Sequence, residues 1–290
     1  MAEFKIIDGV GIIPDGVTVI PSNAFKDCHD LKSIVIPDTV TLIRNSAFYG
    51  CENLEEIIIP DSVTEIHWDA FQKCKSLKQI TLPNSLTEIR QATFYESGLL
   101  KIKLPDSINA MAKYAFSHCR DLVRAELSHS LAKIEKDTFY LCDKLEEIII
   151  PDSVTEIEEK AFYYCTSLKE LLLPDSLIEI GESAFDGCKN IERIVLSKSI
   201  KKIRENAFYG CKPTVLEIYC PITIRDNMWI DISNTTTLVL GAGVKKFPSS
   251  FFDNCKELKT IYVPANKIQY YLSRIPESLH HLIRESATEK

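Results

Sequence analysis

Ten cysteines are the first residues whose type could carry chemistry, as disulfides or as zinc thiolates. Their spacing argues against both uses. Cys119, Cys142, Cys165, Cys188 and Cys211 fall at steps of 23 residues, and no Cys-x-x-Cys offers a local ligand pair. Side chains at equivalent positions of stacked coils point the same way, and each sulfur in such a row has two rivals for a bond. The row therefore predicts a ladder of buried, reduced thiols acting as small hydrophobes and weak donors to loop carbonyls. Ser97 occupies the same position and suits the same role, while Cys220 aligns with Ile36 and reads as core.

The remaining candidates carry less. Asp38, Asp61, Asp106, Asp152 and Asp175 form a row that could present stacked carboxylates to calcium. Asn84, His129 and Lys198 interrupt that row, and an Asx-type turn accounts for Asp there without an ion. The six histidines, His29, His67, His118, His129, His280 and His281, read as surface imidazoles. Gly9-Val10-Gly11 fails as a phosphate loop because Pro14 stands where the third glycine belongs. There is no Gly-x-Ser-x-Gly and no His-Glu-x-x-His. The expectation is a non-enzyme with no catalytic residue, no metal and no cofactor.

The elements that would position these residues repeat. Aligned on an aromatic, the chain reads Phe25, Phe48, Phe71, Phe94, Phe116, Phe139, Phe162, Phe185 and Phe208, with one interval of 22 residues and the rest of 23. Trp229 and Phe252 continue the series, giving about eleven copies. After most of these aromatics comes a piece of the type Leu-x-x-Ile-x-Ile, as in Leu54, Ile57 and Ile59, whose final alternation suits a strand buried on one face. Pro ends that strand, and a second segment such as Val63-Thr64-Glu65-Ile66 follows. No single coil can bury these side chains alone, so the coils must stack at ~4.8 Å. Three units are expected: an N-terminal cap over 1–13, a solenoid over 14–264 and a helical cap over 265–290. The joint after Cys220 reads as short, with Pro221 as its strand-ending proline.

A net charge of −7, from 41 acidic and 34 basic residues, supplies no global positive field, so nucleic acid is not an expected partner. No apolar run reaches the ~20 residues of a membrane span, so membrane insertion is not expected either. Met1-Ala2-Glu3-Phe4-Lys5 does not read as a signal peptide.

Leu-x-x-Ile-x-Ile, followed by Pro-Asp-Ser-Val and joined to Ala-Phe-x-x-Cys-x-x-Leu, resembles the BspA-like subfamily of leucine-rich repeats. Ala47-Phe48-Tyr49-Gly50-Cys51-Glu52-Asn53-Leu54 and Ala184-Phe185-Asp186-Gly187-Cys188-Lys189-Asn190-Ile191 are matching copies. The resemblance runs from about Ile12 to Pro264. It implies a β-rich (α/β-type) solenoid, a right-handed superhelix with one strand-forming segment per ~23-residue coil. It also implies protein binding or adhesion through the concave parallel sheet, at the cell surface or secreted. A cytoplasmic, intracellular scaffold or a self-associating repeat protein is the alternative.

The middle residue of Ile-x-Ile should face outward on the sheet: Val35, Ile58, Thr81, Lys103, Glu126, Ile149, Leu172, Val195, Tyr219, Val239 and Tyr262. A solvated sheet favours polar residues here, yet Ile149, Leu172, Val195, Tyr219, Val239 and Tyr262 form an unbroken apolar or aromatic stripe. Strand propensity alone could account for the stripe. The other reading makes it the face that meets a protein partner or a second copy of the chain.

Overall fold

A computed structural model describes residues 4–223 and 230–286. Trp229, its neighbour Met228 and the rest of 224–227 lie outside the described residues. The chain is a parallel β-solenoid of about 12 turns. Alternation builds each strand of the main sheet: Glu56 and Ile58 are exposed while Ile57 and Ile59 are buried. Pro60 ends the strand by turning the chain, its carbonyl accepting from Val63 N–H at 3.0 Å. A second row of two-residue strands, such as Glu65–Ile66 and Glu156–Ile157, adds another parallel ladder beside the expected one.

The third side of each coil carries the aromatic. Phe25 through Phe208 stack with centroids 5.1–5.6 Å apart and planes within 7°. The residues two before and two after each Phe have left-handed backbones, for example Asp137 and Leu141, both at φ 56°. A left-handed backbone costs a residue with a side chain roughly 1–2 kcal/mol, and no β-branched residue occupies any of these positions. This geometry turns alternate amides toward the following coil. Asp69, Phe71 and Lys73 donate to Gln91, Thr93 and Tyr95 carbonyls at 3.1, 2.9 and 2.8 Å. On the second ladder the direction reverses, with Thr64 donating back to Thr41.

The main sheet is not continuous. It runs from the N-terminal hairpin to Glu56–Ile58, resumes at Lys101–Lys103 through Glu147–Ile149, and resumes again at Arg193–Leu196. Residues 79–82 make no backbone hydrogen bond to either neighbouring coil. Around 170–173, Glu170 alone bridges to Glu147 and Arg193. The first break adjoins the one 22-residue interval. There Gly98 passes so close to the preceding coil that a Cβ would lie 1.8 Å from the Lys75 carbonyl oxygen.

Pairing near the C-terminus corrects the sequence alignment. Val195 pairs with Glu217 and Glu217 with Val239, so Glu217 holds the outward position given above to Tyr219. Cys220 lies two residues past Ile218, the last residue of its strand, although it is buried. Pro221 is therefore not the strand-ending residue. One residue is lost between Cys211 and the strand, where 5 positions separate Cys211 from Leu216 against 6 from Cys51 to Ile57.

Both ends are closed. Lys5–Ile7 and Val10–Ile12 form an antiparallel hairpin with a two-residue turn at Asp8-Gly9, and Phe4 meets Phe25 edge-on. At the other end, Ile268–Leu272 is helical and Tyr271 is buried, its hydroxyl donating to the Gly241 carbonyl. Glu277–Leu282 is a 3-10 turn, and Ile283 begins a further strand, Ile283–Ser286, parallel to Thr260–Pro264. The helical cap expected over 265–290 thus ends in a strand, Ile283–Ser286, which extends the sheet by one and becomes its terminal strand.

Candidate binding surface

The buried ladders explain the most regular residues and remove them from consideration as a site. Cys51, Cys74, Cys119, Cys142, Cys165, Cys188 and Cys211 each place Sγ 2.9–3.2 Å from a Phe carbonyl of the preceding coil. Ser97 Oγ lies 3.3 Å from Cys119 Sγ. Burial pushes the Cys51 and Cys119 thiols up to about 12, so they are poor nucleophiles near neutral pH. All ten cysteines are free thiols.

The Asp row serves its neighbours' turns. Asp61 accepts from the Asn84 amide at 3.3 Å, and Asp106 accepts from the His129 amide at 3.0 Å and meets its ring at 2.9 Å. Among the described residues, no group of three or more His, Cys, Asp or Glu is placed to hold a metal ion. His118 is not a plain surface imidazole. Its ring is half-buried between Tyr95 and Tyr140, at 5.0 and 5.4 Å, and desolvation lowers its pKa.

The outward face of the main sheet remains. Val195, Val239 and Tyr262 share one register row there, and Glu170, bridging Glu147 and Arg193, brings Ile149 and Leu172 into line with it, with Leu172 72% exposed and Ile149 41%. Glu217 breaks the row between Val195 and Val239. Its carboxylate is itself largely covered, receiving the Arg193 guanidinium from one side and the Tyr219 hydroxyl at 2.8 Å from the other. Burial and this carboxylate together raise Tyr219 to about 12. The Tyr219 ring lies over Gly241, where a Cβ would come within 2.8 Å of it, and with Val239 it lines a hollow of about 290 Å³ at the ends of the strands.

A second, larger hollow of about 580 Å³ opens where the sheet is broken, walled by Thr81, Lys101, Lys103, Arg124 and Glu126. On its N-terminal side Val35 and Ile58 are about as exposed as Leu172. The structure therefore gathers five of the six stripe residues on one row and sets Tyr219 beside it. The Arg193–Glu217–Tyr219 group escaped sequence reasoning, since it depends on a register that the pattern does not specify. The hollow at 79–82 left a trace in the sequence: Ser97-Gly98 and the short interval.

Stacked coils of this kind, with parallel strands on one face and a packed interior, define the leucine-rich-repeat class of solenoids. Six copies of the BspA type Leucine rich repeat region match over residues 11–123, 41–169, 87–214 and 155–274, and the chain belongs to that family. A leucine-rich repeat protein from Bacteroides ovatus superposes with a TM-score of 0.71 at 24% identity, over 93% of this chain and 78% of that one. The T. pallidum leucine-rich repeat protein gives a TM-score of 0.53 at 28% identity, over 58% of this chain and 88% of that one. No curated protein sequence matches the chain. Among the described residues no helix is long and apolar enough to cross a membrane.

Proposed function

We propose that the chain is a non-catalytic binding protein that meets a protein partner through the outward face of its main sheet, centred on Ile149, Leu172 and Val195 and continuing through Val239 and Tyr262. The observation that carries this reading is Leu172, 72% exposed in line with the sheet's outward row, where solvent would favour a polar side chain. Tyr262 and Tyr219 serve as aromatic anchors, Tyr262 on the row and Tyr219 at the hollow beside it. Solenoids of this class generally work by protein–protein contact, and membership of the BspA-type family supports adhesion at the cell surface over intracellular scaffolding. A signal sequence encoded upstream in the native gene would agree with the surface reading; its absence there would favour the scaffold.

The binding test compares wild type with a Leu172→Lys, Tyr262→Lys double variant in pull-downs from matrix proteins and cell lysate, read by mass spectrometry. The variant is expected to lose the captured partner while keeping its circular dichroism. Sedimentation velocity on the same pair reports whether the partner is a second copy of the chain. Full capture by the double variant places the binding surface elsewhere.

A further inference from the structure

The break at 79–82 has no part in the apolar row, yet it makes the larger of the two hollows. The chain as a whole carries −7, but the walls here bring Lys101, Lys103 and Arg124 together. Their one carboxylate, Glu126, is already shared by Lys103 and Arg124, each at 3.2 Å, and Arg124 also reaches Glu147 at 3.0 Å. Lys101 is exposed and pairs with no carboxylate among the described residues. Gln79, Thr81 and Asn84 add neutral donors and acceptors to the same walls.

From this arrangement we infer that the cleft over residues 79–82 takes a short acidic segment of a protein, whose carboxylates meet Lys101 and Lys103. This rests on the reading that the sheet face binds protein, and it assigns that face a second, charge-selective site.

The surroundings set the ligand class. Glu55 and Glu56 stand on the coil before the cleft, and Glu146, Glu147 and Glu170 on the coils after it. Lys101 and Lys103 share one coil and Arg124 lies on the next, so at ~4.8 Å per coil the cationic stretch is only on the order of 5–10 Å long. A long polyanion would run into like charge within about one Debye length, ~8 Å, of either end. One or two carboxylates fit. Beyond the cations the same outward row offers Ile58 on one side and Ile149 on the other, so apolar residues flanking the carboxylates would find apolar contacts. The mode is local charge complementarity between apolar shoulders.

The test uses a fluorescein-labelled peptide, Val-Leu-Asp-Gly-Glu-Leu-Val, and its counterpart with Asn and Gln in place of the acids, titrated by anisotropy against the full chain. Wild type is expected to bind the acidic peptide saturably at low salt and at least about tenfold more weakly at high salt, or when the neutral peptide replaces it. A Lys101→Gln, Lys103→Gln double variant should lose about tenfold, while Lys256→Gln, Lys259→Gln, the same change of charge on exposed lysines at the far end of the solenoid, should stay within about twofold of wild type. Both lysines are exposed, so circular dichroism of the variant should match wild type. Absence of saturable binding to wild type, equal binding of the neutral peptide, or full binding by the lysine variant overturns the inference. So does a heparin fragment that binds more tightly than the acidic peptide, since it would make the site one for polyanions. Failure of the apolar face shows differently: the Leu172→Lys, Tyr262→Lys variant would keep its captured partner while the peptide results stand.

Discussion

The aromatic side of the solenoid and its sheet side are built from the same repeats, and they differ in continuity. On the aromatic side the amide of each stacked Phe from Phe25 to Phe185 donates to the next coil at 2.7–3.0 Å, and the ring stack runs unbroken to Phe208. On the sheet side the ladder breaks twice, at 79–82 and around 170–173. The physical difference lies in what each side demands of its residues. A stacked ring flanked by left-handed residues tolerates few substitutions, because the ring fills a fixed slot and the backbone excludes β-branched residues. A sheet held on its buried face by alternate Leu and Ile leaves its outward residues free. The coils stay stacked where the sheet opens because the aromatic side holds them, and the sheet side is where a binding surface can vary.

The largest expected effect sharpens that contrast. Phe139 is fully buried between Phe116 and Phe162, so Phe139→Ala should cost about 3–5 kcal/mol. Leu172→Ala, on the exposed side, should stay within about 0.5 kcal/mol. Denaturant melts of the two variants would measure both, and comparable losses would mean that the sheet side carries as much of the fold as the ring stack.

A middle-sized effect comes from the thiols beside the rings. Burial raises Cys51 and Cys119 from 9.0 to about 12, and Cys74 and Cys142 also rise well above 9.0. Below pH 9 folded and unfolded chains alike keep these protons, and stability is intact. Between pH 9 and about 12 the unfolded chain releases them while the folded chain does not, so stability falls as pH rises. Each pH unit above 9 is worth about 1.4 kcal/mol per thiol. Melting temperature should therefore drop steadily above pH 9, and the native thiols should react slowly with iodoacetamide until the chain is denatured. Rapid labelling of the folded chain at pH 8 would show that the ladder is open.

The smallest effect lies within the sheet. Hydrogen exchange should run faster at the amides of 79–82 than at those of Arg124–Glu126, since the latter sit in a ladder paired on both sides and the former in none. Equal protection would mean that the break is closed in solution, and it would remove the cleft with it.

Much of this fold is legible in the residues. The 23-residue spacing, the Leu-x-x-Ile-x-Ile alternation and the Cys row dictate stacked coils with a buried aromatic and thiol column, since no other arrangement buries those side chains. Leu172 and Ile149 could be placed on the outward face from alternation alone. The position of Tyr219 could not. A strand repeats every two residues, so Leu216 and Ile218 satisfy the buried pattern as well as Ile218 and Cys220 do, and a slip of two leaves the alternation intact. Only hydrogen bonding to Val195 and Val239 chooses between them, placing Glu217 in the row and turning Tyr219 onto its carboxylate. The breaks in the sheet belong to tertiary structure for a related reason. Alternation specifies which side of a strand is buried, whereas the distance between coils is set by how rings, turns and Gly98 pack on the far side.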